Sequence, residues 1–442
     1  MAETFLPSQI NYAEQLPSLM AGVQNLTQVL NPVNGSSFTS DGAQIIIDFP
    51  SRGFIDPRSL YFSYNMSITS GAVAGAVCRC PLYAPFSRLD LYINNSLIES
   101  INDYNLIACL WTDLYLGPNE KASLQSGFGY SNTDGAITKY DSRVLTASAA
   151  QAYKVSGPLV CSMLSSMDKF LPAFACGQVR LIFTLDSLTN YVSHTANNPT
   201  AFTLSNFQVT YDLIDFGAEV EQAVLRMPQV VIKSSGFTQQ SVSVPIGTSG
   251  NQSFIFNTRL ASIRNAVLST SCARDAVFIN GKFDSPNLAG GSSTTFTNGT
   301  PSTFSLNIGG VSYPQSGPLT TANQSAILME LRKATGSLYD WSKASSINNL
   351  EFAYIETGRN TANSTDLTTN FEPSKFYIGF DLNKINSASN AMLNGTSSQN
   401  SPIVAQVSFA AATTLAKTLN LTSNYDAIVT IDTRSRQISV LM

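Results

Sequence analysis

Alternation with a period of two is the feature that most narrows what this chain can fold into. Leu60, Phe62, Tyr64, Met66 and Ile68 alternate with Tyr61, Ser63, Asn65, Ser67 and Thr69. Residues two apart on a strand share a face, so the pattern specifies a strand with one buried side and one wet side. The rhythm returns at Leu89, Leu91 and Ile93, at Val179, Leu181, Phe183 and Leu185, and at Phe207, Val209, Tyr211 and Leu213. It continues at Ile378, Phe380 and Leu382, then at Ile403, Ala405, Val407 and Phe409. Between these runs lie clusters of Gly, Pro, Asn, Asp and Ser, with Asp56-Pro57 and Asn280-Gly281 the sharpest turn signals. The fold class is therefore all-β.

Helical spacing is confined to three places. Residues 101–116 read as one helix, capped by Ser100 or Asn102 and stopped by Gly117-Pro118. Ala218–Arg226 is a short amphipathic stretch whose Glu219 and Glu221 suit a helix N-terminus. Gln324–Thr335 has Asn323 as its cap, Ile327, Leu328, Leu331 and Ala334 on one face, and Arg332-Lys333 in its last turn. The middle helix falls between two strand-rich halves, and Pro228 stops it. The expected organisation is an arm over 1–38, with a short helix near 13–21, then one β sandwich over 39–227 and a second over 228–442. The stretches 285–305 and 356–366 read as exposed polar loops.

Composition removes several function classes. The 442 residues carry 25 Lys+Arg against 29 Asp+Glu, a formal charge of −4. A chain that neutralises phosphates needs a basic excess or block, and neither is present, so specific nucleic-acid binding is not expected. Hydrophobic residues make up 43%, too many for global disorder. No apolar run approaches the ~18 residues of a membrane span. Met1 to Pro7 shows no basic and apolar leader, so a secretory signal is not expected.

Reactive constellations fail one by one. His194 is the single histidine, in a polar loop, with no Gly-x-Ser-x-Gly elbow to partner it. One imidazole cannot build a His metal cluster. Cys78-Arg79-Cys80 is too tight for a zinc knuckle, and Cys78, Cys80, Cys109, Cys161, Cys176 and Cys272 read as buried thiols. Gly281-Lys282 is followed by Phe283, not the Ser or Thr of a P-loop, and Gly127-Phe128-Gly129 is followed by Asn132 where a dinucleotide fingerprint needs Gly. Asp212 with Asp215, Glu219 with Glu221, and Asp426 with Asp432 do not form a glycosidase pair. Asp134 and Asp366 match no calcium-loop spacing. The expectation is no enzyme, no catalytic, cofactor-binding or metal residues, and no cofactor.

What remains is scarce charge, 12% against the ~25% of an ordinary domain. Sandwiches with long strand edges and little charge are usually covered by partners, which points to an assembly protein. The rivals are a β-sandwich adhesin or glycan-binding module, and an RNA-virus capsid protein with shell and projecting domains. The first usually travels through secretion. The second usually has a basic arm, and residues 1–38 hold no Lys or Arg.

Pro85-Phe86-Ser87-Arg88-Leu89-Asp90-Leu91-Tyr92-Ile93-Asn94-Asn95, followed by Ile101-Asn102-Asp103-Tyr104-Asn105, resembles the strand-turn-helix block of double jelly-roll major capsid proteins of small double-stranded DNA viruses, the polinton-like virus, virophage and adenovirus-like lineage. Residues 45–49 and 54–68 resemble the first two strands of the first roll. Val311-Ser312-Tyr313-Pro314, residues 376–382 and residues 393–403 resemble the second roll, and 425–429 with 438–442 its last hairpin. The resemblance implies two tandem eight-stranded jelly rolls with a few short helices in loops, and a homotrimer that tiles an icosahedral virion. Neighbouring capsomers, pentons, minor capsid proteins and an internal membrane are the implied partners. The implied location is the virion, assembled inside the host cell and not secreted.

Overall fold

The computed structural model describes residues 23–69, 76–130, 142–145, 150–193, 200–271, 301–338, 345, 347, 352, 377–385, 393–410, 412–413 and 416–442. His194, Asn280-Gly281, Asp134, Asp366, Cys272 and the helix expected near 13–21 lie outside the described residues.

The first half is built on eight strands: β1 (Gln24–Leu30), β2 (Gln44–Phe49), β3 (Tyr61–Thr69), β4 (Phe86–Ile93), β5 (Ser96–Asn102), β6 (Ala150–Pro158), β7 (Val179–Leu185) and β8 (Ala201–Asp215). They form two antiparallel sheets in the orders β1-β8-β3-β6 and β2-β7-β4-β5. The second half repeats this with β9 (Gln229–Val244), β10 (Gly250–Phe256), β11 (Ile263–Ser271), β12 (Pro301–Ile308), β13 (Val311–Tyr313), β14 (Ile378–Asp381), β15 (Ile403–Phe409) and β16 (Lys417–Asp432). Its orders are β9-β16-β11-β14 and β10-β15-β12-β13. Adding eight to each strand number of the first half gives the second. Short strands such as Phe54–Ile55 and Ile438–Leu441 extend the sheets. The chain is two tandem eight-stranded jelly rolls.

Alternation explains the layers. In β3 the apolar residues point inward and are buried, and their neighbours are half-buried or exposed. β7 repeats this with Val179, Leu181, Phe183 and Leu185 inside. In the first roll the inward side chains interlock as rings: Phe62, Phe86, Phe183 and Phe207 have centroids 5.1–5.9 Å apart. Burying each such side chain contributes about 1.5–3 kcal/mol.

Three helices are long enough to matter: α1 (Tyr104–Tyr115), α2 (Ala218–Arg226) and α3 (Gln324–Thr335). α1 and α3 occupy the same place, each following the fifth strand of its roll. Asn323 caps α3 as expected, its side chain accepting from Ala326 N at 3.1 Å. α1 starts later than the spacing predicts. Ile101 belongs to β5, and Asp103, in the left-handed region at φ 51°, turns the chain into the helix. A further difference concerns the arm. Gln24–Leu30 pairs along its whole length with β8, from Gln24↔Asp215 to Leu30↔Val209, so it is the first strand of the first roll. Residues 45–49 and 61–69 are thus the second and third strands. Only Leu26 and Leu30 mark the inward face of β1, which is too little alternation to show a strand in the sequence.

Candidate assembly surfaces

Between the rolls the chain builds a polar seam. β5 and α1 of the first roll lie against β9, the outer strand of the second. Glu99, on β5, is almost completely buried, and its Oε2 accepts from Ser162 Oγ at 2.9 Å and Met163 N at 2.8 Å. Its Oε1 has no hydrogen-bond partner among the described residues. Burial pushes this carboxyl up to about 8, the two hydrogen bonds opposing the shift only partly. Opposite it stands Gly236, where a Cβ would come within 2.9 Å of Glu99 Oε1 and 2.5 Å of Tyr425 OH. Any side chain at 236 would therefore wedge the seam open.

Further bonds cross the same boundary. Asp168 N donates to Lys233 O at 3.0 Å, and Lys233 N to Asp168 Oδ1 at 2.9 Å. Ser234 Oγ donates to Met163 O at 2.6 Å. Asp113, fully buried on α1, accepts from Lys121 Nζ at 2.7 Å and from Tyr377 OH, in the second roll, at 2.7 Å. A buried carboxylate held by a cation and a phenol gives geometric specificity more than net stability, because its desolvation offsets most of the attraction. The seam thus fixes one relative placement of the rolls.

Other surfaces are less covered. α2 has no buried residue, and its own Leu225 and the following Met227 are exposed. It is tied to the first roll by Gly53 N donating to Glu221 Oε1 at 3.3 Å. On the second roll a groove of 440 Å³ lies among Asn251, Gln252, Ser305, Gln406, Ser408 and Pro314, with no charged side chain. Among the described residues no three His, Cys, Asp or Glu side chains converge as metal ligands, and no helix is long and apolar enough to cross a membrane. Asp212 and Asp215 are dispersed along β8. Asp212 accepts from Thr27 Oγ1 at 2.8 Å and Asp215 from Gly217 N at 2.8 Å, so each is engaged in local structure. Cys78, Cys80, Cys109, Cys161 and Cys176 are all buried. The sequence reading missed Glu99 and Asp113, because a single carboxylate in an amphipathic strand or helix looks solvent-facing until a distant segment covers it.

Two rolls of identical strand order, sealed by a polar seam, define a double jelly-roll fold whose distinctive surfaces are strand edges and helix faces. Among solved structures the chain is similar to the PBCV-1 virus capsid, with a TM-score of 0.58 and 11% identity over 97% of this chain and 99% of that one. It is similar to the Faustovirus major capsid protein, TM-score 0.60 and 8% identity over 96% and 92%. The mavirus major capsid protein gives a TM-score of 0.54 and 10% identity over 99% and 93%. These neighbours are structural proteins and not enzymes, and the likeness extends over both rolls. No family model matches the chain, and no curated protein does.

Proposed function

We propose that this chain is a structural major capsid protein. The observation that carries the reading is the pair of rolls in one chain, matched over nearly its full length by the capsid neighbours. Three copies place six rolls around an axis, so a trimer presents a pseudo-hexagonal outline that tiles an icosahedral facet. A ring of identical head-to-tail contacts closes without leaving an open edge. The first roll runs to 227 and takes in β1, and the second spans 228–442. α2 lies at the base, toward the virion interior. Pentons, minor capsid proteins and an internal membrane are its partners, the virion shell is its location, and assembly takes place inside the host cell.

Light scattering on the purified chain tests this. The expected mass is three times the 47.5 kDa of one chain, with hexagonal outlines in electron micrographs. A monomer at micromolar concentration would overturn the proposal.

A further inference from the structure

In the first roll two sulfur atoms face each other where a turn meets a helix. Cys80 Sγ lies 2.7 Å from Cys109 Sγ, and both residues are buried. A covalent S–S bond is about 2.05 Å long, so roughly 0.7 Å separates the pair from bonding distance.

The surroundings hold both partners there. Cys80 follows the short strand Ala76–Arg79 and opens the turn into β4, with Tyr83 N and Ala84 N both donating to its carbonyl at 2.9 Å. Its backbone sits at φ 46°, a left-handed conformation that few non-glycine residues adopt. Tyr64, on β3, fastens the turn from below, its OH donating to Pro81 O at 2.9 Å and to Leu82 O at 2.8 Å. Cys109 sits midway along α1. There Thr112 Oγ1 donates to the Cys109 carbonyl at 2.7 Å and lies 3.8 Å from Cys80 Sγ. Tyr83 of the turn meets Tyr104 of the helix edge-on, with centroids 6.3 Å apart. The same helix lies against β9 and reaches the second roll through Asp113 and Tyr377. A bond at its middle therefore anchors the element that carries the seam. Cys78, two residues before Cys80, is the rival partner. Burial pushes its thiol up to about 12, which withholds the thiolate that exchange needs.

We infer that Cys80 and Cys109 form a disulfide when the chain is exposed to a dissolved disulfide of the glutathione type, and that this bond staples α1 to the turn before β4. The chemistry is two successive exchanges. One cysteine, as its thiolate, attacks a sulfur of the dissolved disulfide. A mixed disulfide forms, and the expelled thiolate takes up the proton that the cysteine gave up. The second cysteine then attacks the protein sulfur of the mixed disulfide and expels the other half in the same way. Two protein thiols are oxidised and one small disulfide is reduced to two small thiols. A reducing compartment keeps the pair open, and an oxidising one closes it. The closed loop runs from 80 to 109 and takes in β4 and β5, so closure removes freedom from the unfolded chain. The inference goes beyond the capsid reading and does not depend on it.

The test equilibrates the full-length protein in buffers running from reduced to oxidised glutathione. Each sample is quenched in acid, denatured, alkylated and digested with trypsin. Trypsin cuts after Arg79, which puts Cys78 and Cys80 on different peptides. The expected result in the oxidised buffer is a peptide linking Cys80 to Cys109, with four thiols alkylated where the reduced chain has six. The melting temperature should rise by about 5–10 °C on closure and fall back with reductant. Cys80→Ala and Cys109→Ala should each abolish the linked peptide and the rise. Six alkylated thiols in the most oxidising buffer, or a link made through Cys78 instead, would overturn the assignment, and both are read on the parent protein whether or not the variants fold. A Cys80–Cys109 link with no rise in melting temperature would overturn the stapling role.

Discussion

The two rolls solve one topology with different interiors. The first packs rings: Phe62 stacks with Tyr64 at 6.3 Å and meets Phe86 edge-on at 5.7 Å, and Phe183 meets Phe207 at 5.1 Å. In the second roll Phe254 and Phe409 have ring centroids 6.4 Å apart. A strand with much polar content runs through it as well: β16 is buried along nearly all its length although it contains Asn420, Thr422, Ser423, Asn424 and Asp426. Neighbours bond Asn420, Thr422 and Asp426, while Ser423 Oγ and Asn424 Oδ1 find no hydrogen-bond partner among the described residues. Ser241 donates to Asn420 Oδ1 at 2.7 Å, Thr422 to Gln239 Oε1 at 3.1 Å, and Ser262 to Asp426 Oδ2 at 2.8 Å. A buried polar group without such a partner costs about 1–3 kcal/mol. The lesson is that strand order sets where a layer lies, while what lies on top decides what that layer must contain. The sheet that holds β16 is covered by α1 against β9 and by α3 against β14 and β11, so polar residues in it become interior.

The largest expected effect is at the helix covering that sheet. Leu331, 2% exposed, lies so close to Gly379 that a Cβ there would sit 2.8 Å from the Leu331 Cα. Leu331→Asp removes the packing, about 2–5 kcal/mol, and buries an unpaired charge besides. Insoluble protein on expression is expected. Soluble protein with parental melting would show that α3 is not seated as described. Phe62→Ala strikes the other interior and should cost about 3–5 kcal/mol. If the rolls differ as argued, calorimetry shows the first roll's unfolding moved down and the second's less changed. A single transition shifted as a whole would erase the distinction.

Between the interiors lies the seam, and Glu99 makes it sensitive to pH. Its carboxyl titrates at about 8 in the folded chain against an ordinary 4.5. From pH 4.5 to 8 the native state therefore holds a proton that the unfolded state has released. Stability from this group is fully present below 4.5 and declines as pH rises to 8. Glu99→Gln should flatten that slope, gaining on the parent by a few kcal/mol at pH 8 and little at pH 4.5. Denaturant midpoints at both values check it, and parallel slopes would place the proton elsewhere.

How far the sequence spoke can be judged from particular elements. β3 and β7 were legible because one face is in the core and the other faces water, which writes alternation directly into residue type. β1 was hidden because this edge strand is exposed along most of its length and half-buries only Gln28 and Leu30, which leaves little alternation to read. The start of α1 was hidden because Ile98 and Ile101 continue an apolar spacing across a strand and a left-handed Asp103 that no side-chain cap announces. Glu99 and Asp113 were hidden for a longer-range reason: what buries them comes from residues more than sixty positions away, such as Met163, Gly236 and Tyr377.

The smallest expected effect tests the most legible element. Asn323 was marked as the α3 cap by residue type alone, and its Oδ1 accepts from Ala326 N at 3.1 Å. Asn323→Ala should remove that bond and cost about 1 kcal/mol, within a range of about 0.5–2. Because α3 covers the second roll's sheet, the loss should appear in that roll's unfolding and leave the first roll's unchanged. The cap also sits at the end of α3 away from Leu331, so the buried face stays packed and the protein should remain soluble. A loss as large as that of Leu331→Asp would mean that the end of the helix, rather than its apolar face, holds it to β14. No loss at all would mean that the first turn of α3 is held by tertiary contacts and the cap is redundant.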